Sequence, residues 1–236
     1  MINSNRNKAA KTGNMNFLSR ISTSNFDKLI HPEFIILHYS GGSYNRIKHL
    51  FEKPDSVSAH FVIDLDGAVD NAVSYAASNC NRAWHAGKSE WEDHHQQRWE
   101  DLNSCSIGIE LVNLNGNLFE YTAQQIDALI QLCHHLFDIY PNLNSPYKIL
   151  GHEHIAGKRG KADPGILFPW KQFFHLLFGE TSFPQRKPNC PPELADNYKK
   201  FLDCTVDETA DPVLHHNFWH AVNFNMEKTI AMLYGC

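Results

Sequence analysis

The chain has 236 residues, 42% of them hydrophobic and 20% charged, with a formal net charge of −5. These values fit one or two globular domains and exclude a disordered, collagen-like or coiled-coil chain. No basic excess points to nucleic acid or an anionic membrane, and no apolar run approaches the roughly 20 residues of a membrane span.

Residues 1–26 are polar and rich in Asn, Ser and Lys, and read as a flexible N-terminal arm. They hold no apolar stretch of about 7–15 residues, so no secretory signal is recognised. The expectation is a cytoplasmic protein; the alternative is a periplasmic one, or one exported by a route without a cleavable signal. Six cysteines are present without a CxxC pair, which argues against a thiolate zinc knuckle and leaves reduced thiols as the expectation.

Patterned sequence begins at Glu33. The continuous apolar run Phe34-Ile35-Ile36-Leu37 predicts a buried strand that ends at His38, where Ser40-Gly41-Gly42-Ser43 breaks it. Ile47, Leu50 and Phe51 follow at helical spacing. A second strand is predicted over Ala59–Leu65, and Asp66-Gly67 turns the chain into a third. Residues 106–111 alternate, with Ile107, Ile109 and Leu111 on one side and Glu110 on the other.

The clearest helix starts at Thr122, where Thr122 and Gln125 form a capping-box pattern. Ile126, Leu129, Ile130, Cys133, Leu136, Phe137 and Tyr140 then make one apolar stripe, and Pro141 ends it. A short strand at 148–150 leads into His152, a loop rich in Gly and Lys runs to Pro169, and a helix is predicted at 170–178. Strands and helices thus mix within residues 27–180, an ordinary single-domain length. Pro184, Pro188, Pro191 and Pro192 mark a boundary, and residues 181–236 read as a helical extension of unknown role.

The chain holds 15 histidines, and histidine is the commonest metal ligand. His38 and His152 both follow apolar strands, where loops expose side chains above a rigid sheet. Asp163 lies eleven residues after His152. Two imidazoles, one carboxylate and an open fourth position suit a catalytic zinc ion; the alternative is that each is an ordinary structural residue. Glu110 offers a carboxylate able to move a proton, and Lys161 a cation able to hold an oxyanion; equally, a solvent-facing strand Glu and a surface-loop Lys fit the same pattern.

The segments IILHYSGG (35–42), VSAHFVIDLDGAV (57–69), RAWHAGKSEW (82–91), SIGIELVN (106–113), ILGHEHIAGKRGKADPG (149–165) and LFPW (167–170) occur in this order across residues 31–172. Together they resemble the zinc-dependent N-acetylmuramoyl-L-alanine amidases of the type-2 family, which includes anhydro-muropeptide amidases and is related to the peptidoglycan recognition proteins. The resemblance implies an α/β fold: a mixed central β-sheet flanked by helices, holding one Zn²⁺.

It implies metal ligands at His38, His152 and Asp163, a catalytic carboxylate at Glu110, an oxyanion-stabilising Lys161, and substrate contacts at His60, Trp84 and His85. The expected substrate is peptidoglycan or anhydro-muropeptide, in muropeptide recycling or cell-wall catabolism. Non-catalytic peptidoglycan-binding modules share this fold but lack a zinc ligand, so the complete set here favours the enzyme. Two departures stand out: the loop from His152 to Asp163 is one residue longer than usual, with Gly157 in place of Pro, and His154 stands where the family usually has Asp, so His154 is not assigned to the metal.

Overall fold

In the computed structural model, which describes residues 16–179 except Leu118 and Gly160, together with Pro184, the apolar run Phe34–Leu37 lies at the heart of a five-stranded sheet. The elements in chain order are β1 (Phe26–Leu29), β2 (Phe34–Tyr39), α1 (Tyr44–Glu52), β3 (Phe61–Ile63), β4 (Val69–Asn71), β5 (Tyr75–Ala76), β6 (Asn79–Ala83), β7 (Glu90–Glu92), β8 (Arg98–Glu100), β9 (Ser106–Leu111), α2 (Ala123–Ile139), β10 (Ile149–Gly151), α3 (His152–Ala156) and α4 (Trp170–Phe178). The main sheet has the order β10-β2-β9-β3-β4, parallel except for the antiparallel edge β4. Strands β1, β6 and β5 form a small antiparallel sheet, and β7 and β8 a hairpin.

Register decides which side chains share a face. Ile35 pairs with Ile107 and Ile149, Leu37 with Ile109, and Ile63 with Leu111. This layer packs on the α2 stripe (Ile126, Leu129, Leu132, Cys133, Leu136, Phe137) and on Phe173, Phe174 and Leu177 of α4. Each such large apolar side chain contributes roughly 1.5–3 kcal/mol on full burial. The opposite face carries Phe34, Ile36 and Leu150 against Leu102, Ala86 and Ile155, and Val62 against Ile47 and Phe51 of α1. Because side chains alternate along a strand, His38 and Glu110 extend this second face, and the register pairs them directly. His152 follows β10 at the same end of the sheet. The carboxyl ends of parallel strands, where open α/β sheets bind ligands, therefore carry these residues.

The helix at Thr122 has the predicted capping box: the Gln125 N–H donates to Thr122 Oγ1, and the Thr122 N–H donates to Gln125 Oε1. Losing such a cap costs about 1 kcal/mol. The second strand is shorter than its predicted span. Asp64 and Gly67 close a turn (Gly67 N–H to the Asp64 carbonyl, 2.9 Å, with Gly67 at φ 84°), so β3 ends at Ile63 and the last bond across to β4 runs from the Asp64 N–H to the Ala68 carbonyl (2.9 Å). The loop predicted after His152 instead begins with the five-residue helix α3.

Of the predicted flexible arm, residues 1–15 lie outside the described residues, and residues 16–26 are packed. Leu18 adds itself to the sheet beyond β4, its N–H donating to the Val69 carbonyl and its carbonyl accepting from Asn71. Phe17 packs on Phe61 and Tyr75, and the Arg20 guanidinium makes two bonds to Asp70, which is fully buried. Ile21 is buried against α1, and Asn25 Nδ2 donates to the Phe51 and Lys53 carbonyls; composition hid this anchoring because these contacts are scattered and largely polar. Apart from Pro184, the predicted extension 181–236 lies outside the described residues. No helix among the described residues is long and apolar enough to cross a membrane.

Candidate metal centre and active site

Three elements bring three ligand atoms together. His38 is the penultimate residue of β2, which runs one residue past its predicted end, His152 opens α3, and Asp163 sits in the loop that returns from it. His38 Nδ1 is 3.1 Å from His152 Nδ1 and 2.8 Å from Asp163 Oδ2, and His152 Nδ1 is 3.0 Å from the same oxygen. All three residues are buried, and they form the one such His/Cys/Asp/Glu group found among the described residues. Burial drives the His152 pKa down, with Asp163 opposing. Burial also works against charge on Asp163, but His152 and His38 outweigh it and hold that carboxyl well below the usual range.

This donor set fits one divalent ion. Ligand bonds of 2.0–2.1 Å in tetrahedral array place ligand atoms about 3.3 Å apart. The observed separations, 2.8–3.1 Å, fall within about half an ångström of that. The second ring nitrogens are already engaged: His38 Nε2 lies 3.1 Å from His85 Nδ1, and His152 Nε2 lies 3.2 Å from the Ala86 carbonyl. Two imidazole nitrogens and a carboxylate oxygen converging in a buried space call for a cation or a shared proton between them.

The Asp163 loop is wedged against residues 115–117. Tyr121 Oη donates to the Pro164 carbonyl at 2.7 Å, and Asn117 Nδ2 donates to the Ala162 carbonyl at 3.3 Å. Gly116 packs so closely that a Cβ there would lie 1.9 Å from the Pro164 oxygen. The Glu153 N–H also donates to the Asp163 carbonyl, at 2.9 Å.

Glu110 stands one strand over from His38. Its Oε2 is buried and has no hydrogen-bond partner. Burial raises its carboxyl to about 7, with Asp163 adding to the rise and His38 and Lys161 opposing it. A carboxyl poised there can accept and return a proton near neutral pH. Lys161 is partly exposed in the same loop as Asp163, and its charge acts on both Glu110 and His152.

The three residues expected to touch substrate behave differently. His60 is fully buried; its Nδ1 accepts the Gly108 N–H (3.1 Å), and its Nε2 donates to the Asn81 carbonyl (2.9 Å). Both nitrogens are committed to backbone, so His60 locks β3 to β9 and reaches no ligand. Burial lowers its pKa to about 4. His85 is 8% exposed and turns to His38 and Ser106. Trp84 is half-buried, and its indole N–H donates to Asp27 on β1 (3.3 Å). Sequence places all three residues near the site, and neighbouring backbone decides where each ring points.

His154 stays out of the donor set. Its Nδ1 accepts the Gly151 N–H at 2.8 Å. Sequence reading did not single out Glu153, a buried carboxyl raised to about 8 by burial and by Asp163. It also passed over Tyr121 and Arg159. The Arg159 Nη1 donates to the carbonyls of Ala86 (3.1 Å) and Lys88 (2.7 Å).

Comparison with known proteins points the same way. Residues 28–166 match the family described as N-acetylmuramoyl-L-alanine amidase. The chain is 30% identical over 163 residues to the N-acetylmuramoyl-L-alanine amidase AmiD of Escherichia coli, covering 64% of this chain and 55% of that one. It also spans 57% of the length of a Rickettsia conorii relative, 29% identical, named as an amidase of the same kind. Among solved structures, AmpD (as a selenomethionine derivative) superposes with a TM-score of 0.57 at 29% identity, covering 67% of this chain and 93% of that one. AmpDh3 of Pseudomonas aeruginosa, in complex with anhydromuramic pentapeptide, gives 0.53 at 26% identity, covering 88% and 79%.

Proposed function

Because the chain belongs to the N-acetylmuramoyl-L-alanine amidase family, we propose that it is a zinc-dependent hydrolase of the amide between the lactyl group of N-acetylmuramic acid, or its anhydro form, and L-alanine. The observation that carries this reading is the buried, unpartnered carboxylate oxygen of Glu110 beside the converging His38, His152 and Asp163. A buried polar atom without a partner costs roughly 1–3 kcal/mol, and a proton-transfer role beside a metal gives this one a reason to be kept.

In this mechanism His38, His152 and Asp163 hold one Zn²⁺. When bound, that ion supplies a Lewis acid that polarises the scissile carbonyl and acidifies water. Glu110 takes the proton of the attacking water and returns it to the departing alanine nitrogen. Lys161 offsets the negative charge that develops at the carbonyl oxygen. The wedge of Gly116, Tyr121 and Pro164 keeps Asp163 in place through the cycle. His60 takes no part beyond holding β3 to β9.

We place soluble anhydro-muropeptides ahead of polymeric wall as substrate, in line with the ligand carried by the AmpDh3 neighbour. Cys80, Cys105 and Cys133 are free thiols, which suits a reducing, cytoplasmic setting. The test is a digest of anhydromuramyl peptide and of intact peptidoglycan by the purified protein, with and without chelator, read by mass. The reading predicts chelator-sensitive release of a stem peptide with a free alanine N-terminus, faster from the soluble substrate. Tight binding of either substrate without release overturns it in favour of a non-catalytic binding module.

A further inference from the structure

Both ring nitrogens of His85 face other side chains. Its Nδ1 lies 3.1 Å from His38 Nε2 and its Nε2 lies 3.4 Å from Ser106 Oγ. The ring is 8% exposed and lies flat over Gly108, where a Cβ would come within 2.4 Å of His85 Cγ. Glycine at 108 is therefore what lets the imidazole reach His38.

The protons along this chain follow from one fixed end. The Leu102 carbonyl can only accept, so Ser106 Oγ–H donates to it. Ser106 Oγ is then left as the acceptor for a hydrogen on His85 Nε2. With Nε2 protonated, neutral His85 presents a lone pair at Nδ1, which requires the hydrogen of His38 on Nε2. His38 Nδ1 is thus the bare nitrogen, and it is the atom that faces His152 and Asp163. The same logic reaches His152 from the next residue. The Ala86 carbonyl can only accept, so His152 carries its hydrogen on Nε2 (3.2 Å) and turns a bare Nδ1 inward.

We propose that the His85–Ala86 segment is a positioning element for the metal centre, its imidazole and its carbonyl fixing both ligand histidines in the tautomer that presents Nδ1. The proposal deepens the reading of His38, His152 and Asp163 as a zinc site and rests on it. His85 touches neither substrate nor ion; it acts through His38. Arg159 anchors the segment, because its guanidinium holds the Ala86 and Lys88 carbonyls from the loop between His152 and Asp163. Partners of this kind commonly account for 10- to 100-fold in metal affinity.

The test compares His85→Phe, which keeps a ring but offers no acceptor, with His85→Gln, whose amide oxygen can take the His38 hydrogen. Zinc dissociation constants come from chelator competition, and the thermal midpoint of each metal-free protein is measured alongside. The expectation is a 10- to 100-fold weaker zinc constant in His85→Phe and recovery of most of it in His85→Gln. A His85→Phe constant within twofold of the parent overturns the proposal. So does an equal loss in both variants that tracks a lowered metal-free midpoint, because that marks packing alone. Should His85→Phe not fold, nitrogen-15 shifts of the zinc-loaded parent decide the question: ligation of His38 through Nδ1 supports the proposal, and through Nε2 refutes it. A parent protein that binds no zinc fails at the earlier reading of the centre and takes this proposal with it.

Discussion

Replacing Glu110 with Gln should separate catalysis from stability in opposite directions. The carboxyl is buried and raised to about 7 from an ordinary 4.5. A raised carboxyl favours folding fully only below its unfolded value, and the penalty grows as pH climbs from 4.5 through 7. Carried from 4.5 to about 7, the rise corresponds to about 3 kcal/mol, most of which develops between pH 5 and pH 8. Gln carries no such titration.

The stability difference between Glu110→Gln and the parent, both metal-free, should therefore shift by roughly 2–3 kcal/mol in favour of the variant over that range. Any constant cost of burying the amide cancels from this comparison. Urea unfolding at the two pH values measures it. Turnover of anhydromuramyl peptide by the zinc-loaded variant should fall roughly 10²–10⁴-fold, the usual share of a general acid–base group. A stability difference that does not change with pH, or turnover within a few-fold of the parent, refutes the reasoning. With zinc bound, kcat/KM should rise with pH as this base ionises.

Gly116→Ala should drive a methyl into the Pro164 carbonyl and Tyr121 Oη, which an ideal Cβ would meet at 1.9 and 2.5 Å. Overpacking and the lost Tyr121 hydrogen bond together cost about 2–4 kcal/mol. That lowers the melting temperature by roughly 5–15 °C and weakens zinc binding through Asp163, as calorimetry and chelator competition would show. Lys161→Met should lower kcat about 10²–10³-fold while zinc content stays at one per chain; a normal kcat removes Lys161 from the chemistry. His154→Gln should keep its zinc, because His154 accepts the Gly151 N–H instead of facing the ion, and loss of metal on elemental analysis would count it as a ligand.

What the sequence revealed followed how local the signal was. The core strands at 34–39 and 106–111 and the helix after Thr122 announce themselves by apolar runs, alternation and a capping box within a few residues. Strands β1 and β5–β8 are two to five residues long and mostly polar, and pairing across the fold holds them, so no window of sequence displays them. Helix α3 begins after Gly151, which offers no capping side chain, and five residues are too few for a helical period. The metal-centre residues were legible as types at strand ends. Their convergence came only through the family resemblance, because spacing does not show β10 pairing with β2 in register. His60 and His85 show the limit: the same residue type near the same strands becomes a backbone clasp in one case and a neighbour of a ligand in the other, according to which way the chain turns it.

One zinc ion, held by His38, His152 and Asp163, is what we propose makes this chain an amidase. The most direct measurement strips the purified protein with chelator and titrates zinc back while following release of stem peptide from anhydromuramyl peptide by mass. The account predicts no release without zinc, full activity at one equivalent, and no recovery in His152→Ala at any zinc concentration that leaves the protein soluble. Release that persists in the stripped protein, or recovery in His152→Ala at one equivalent, contradicts it.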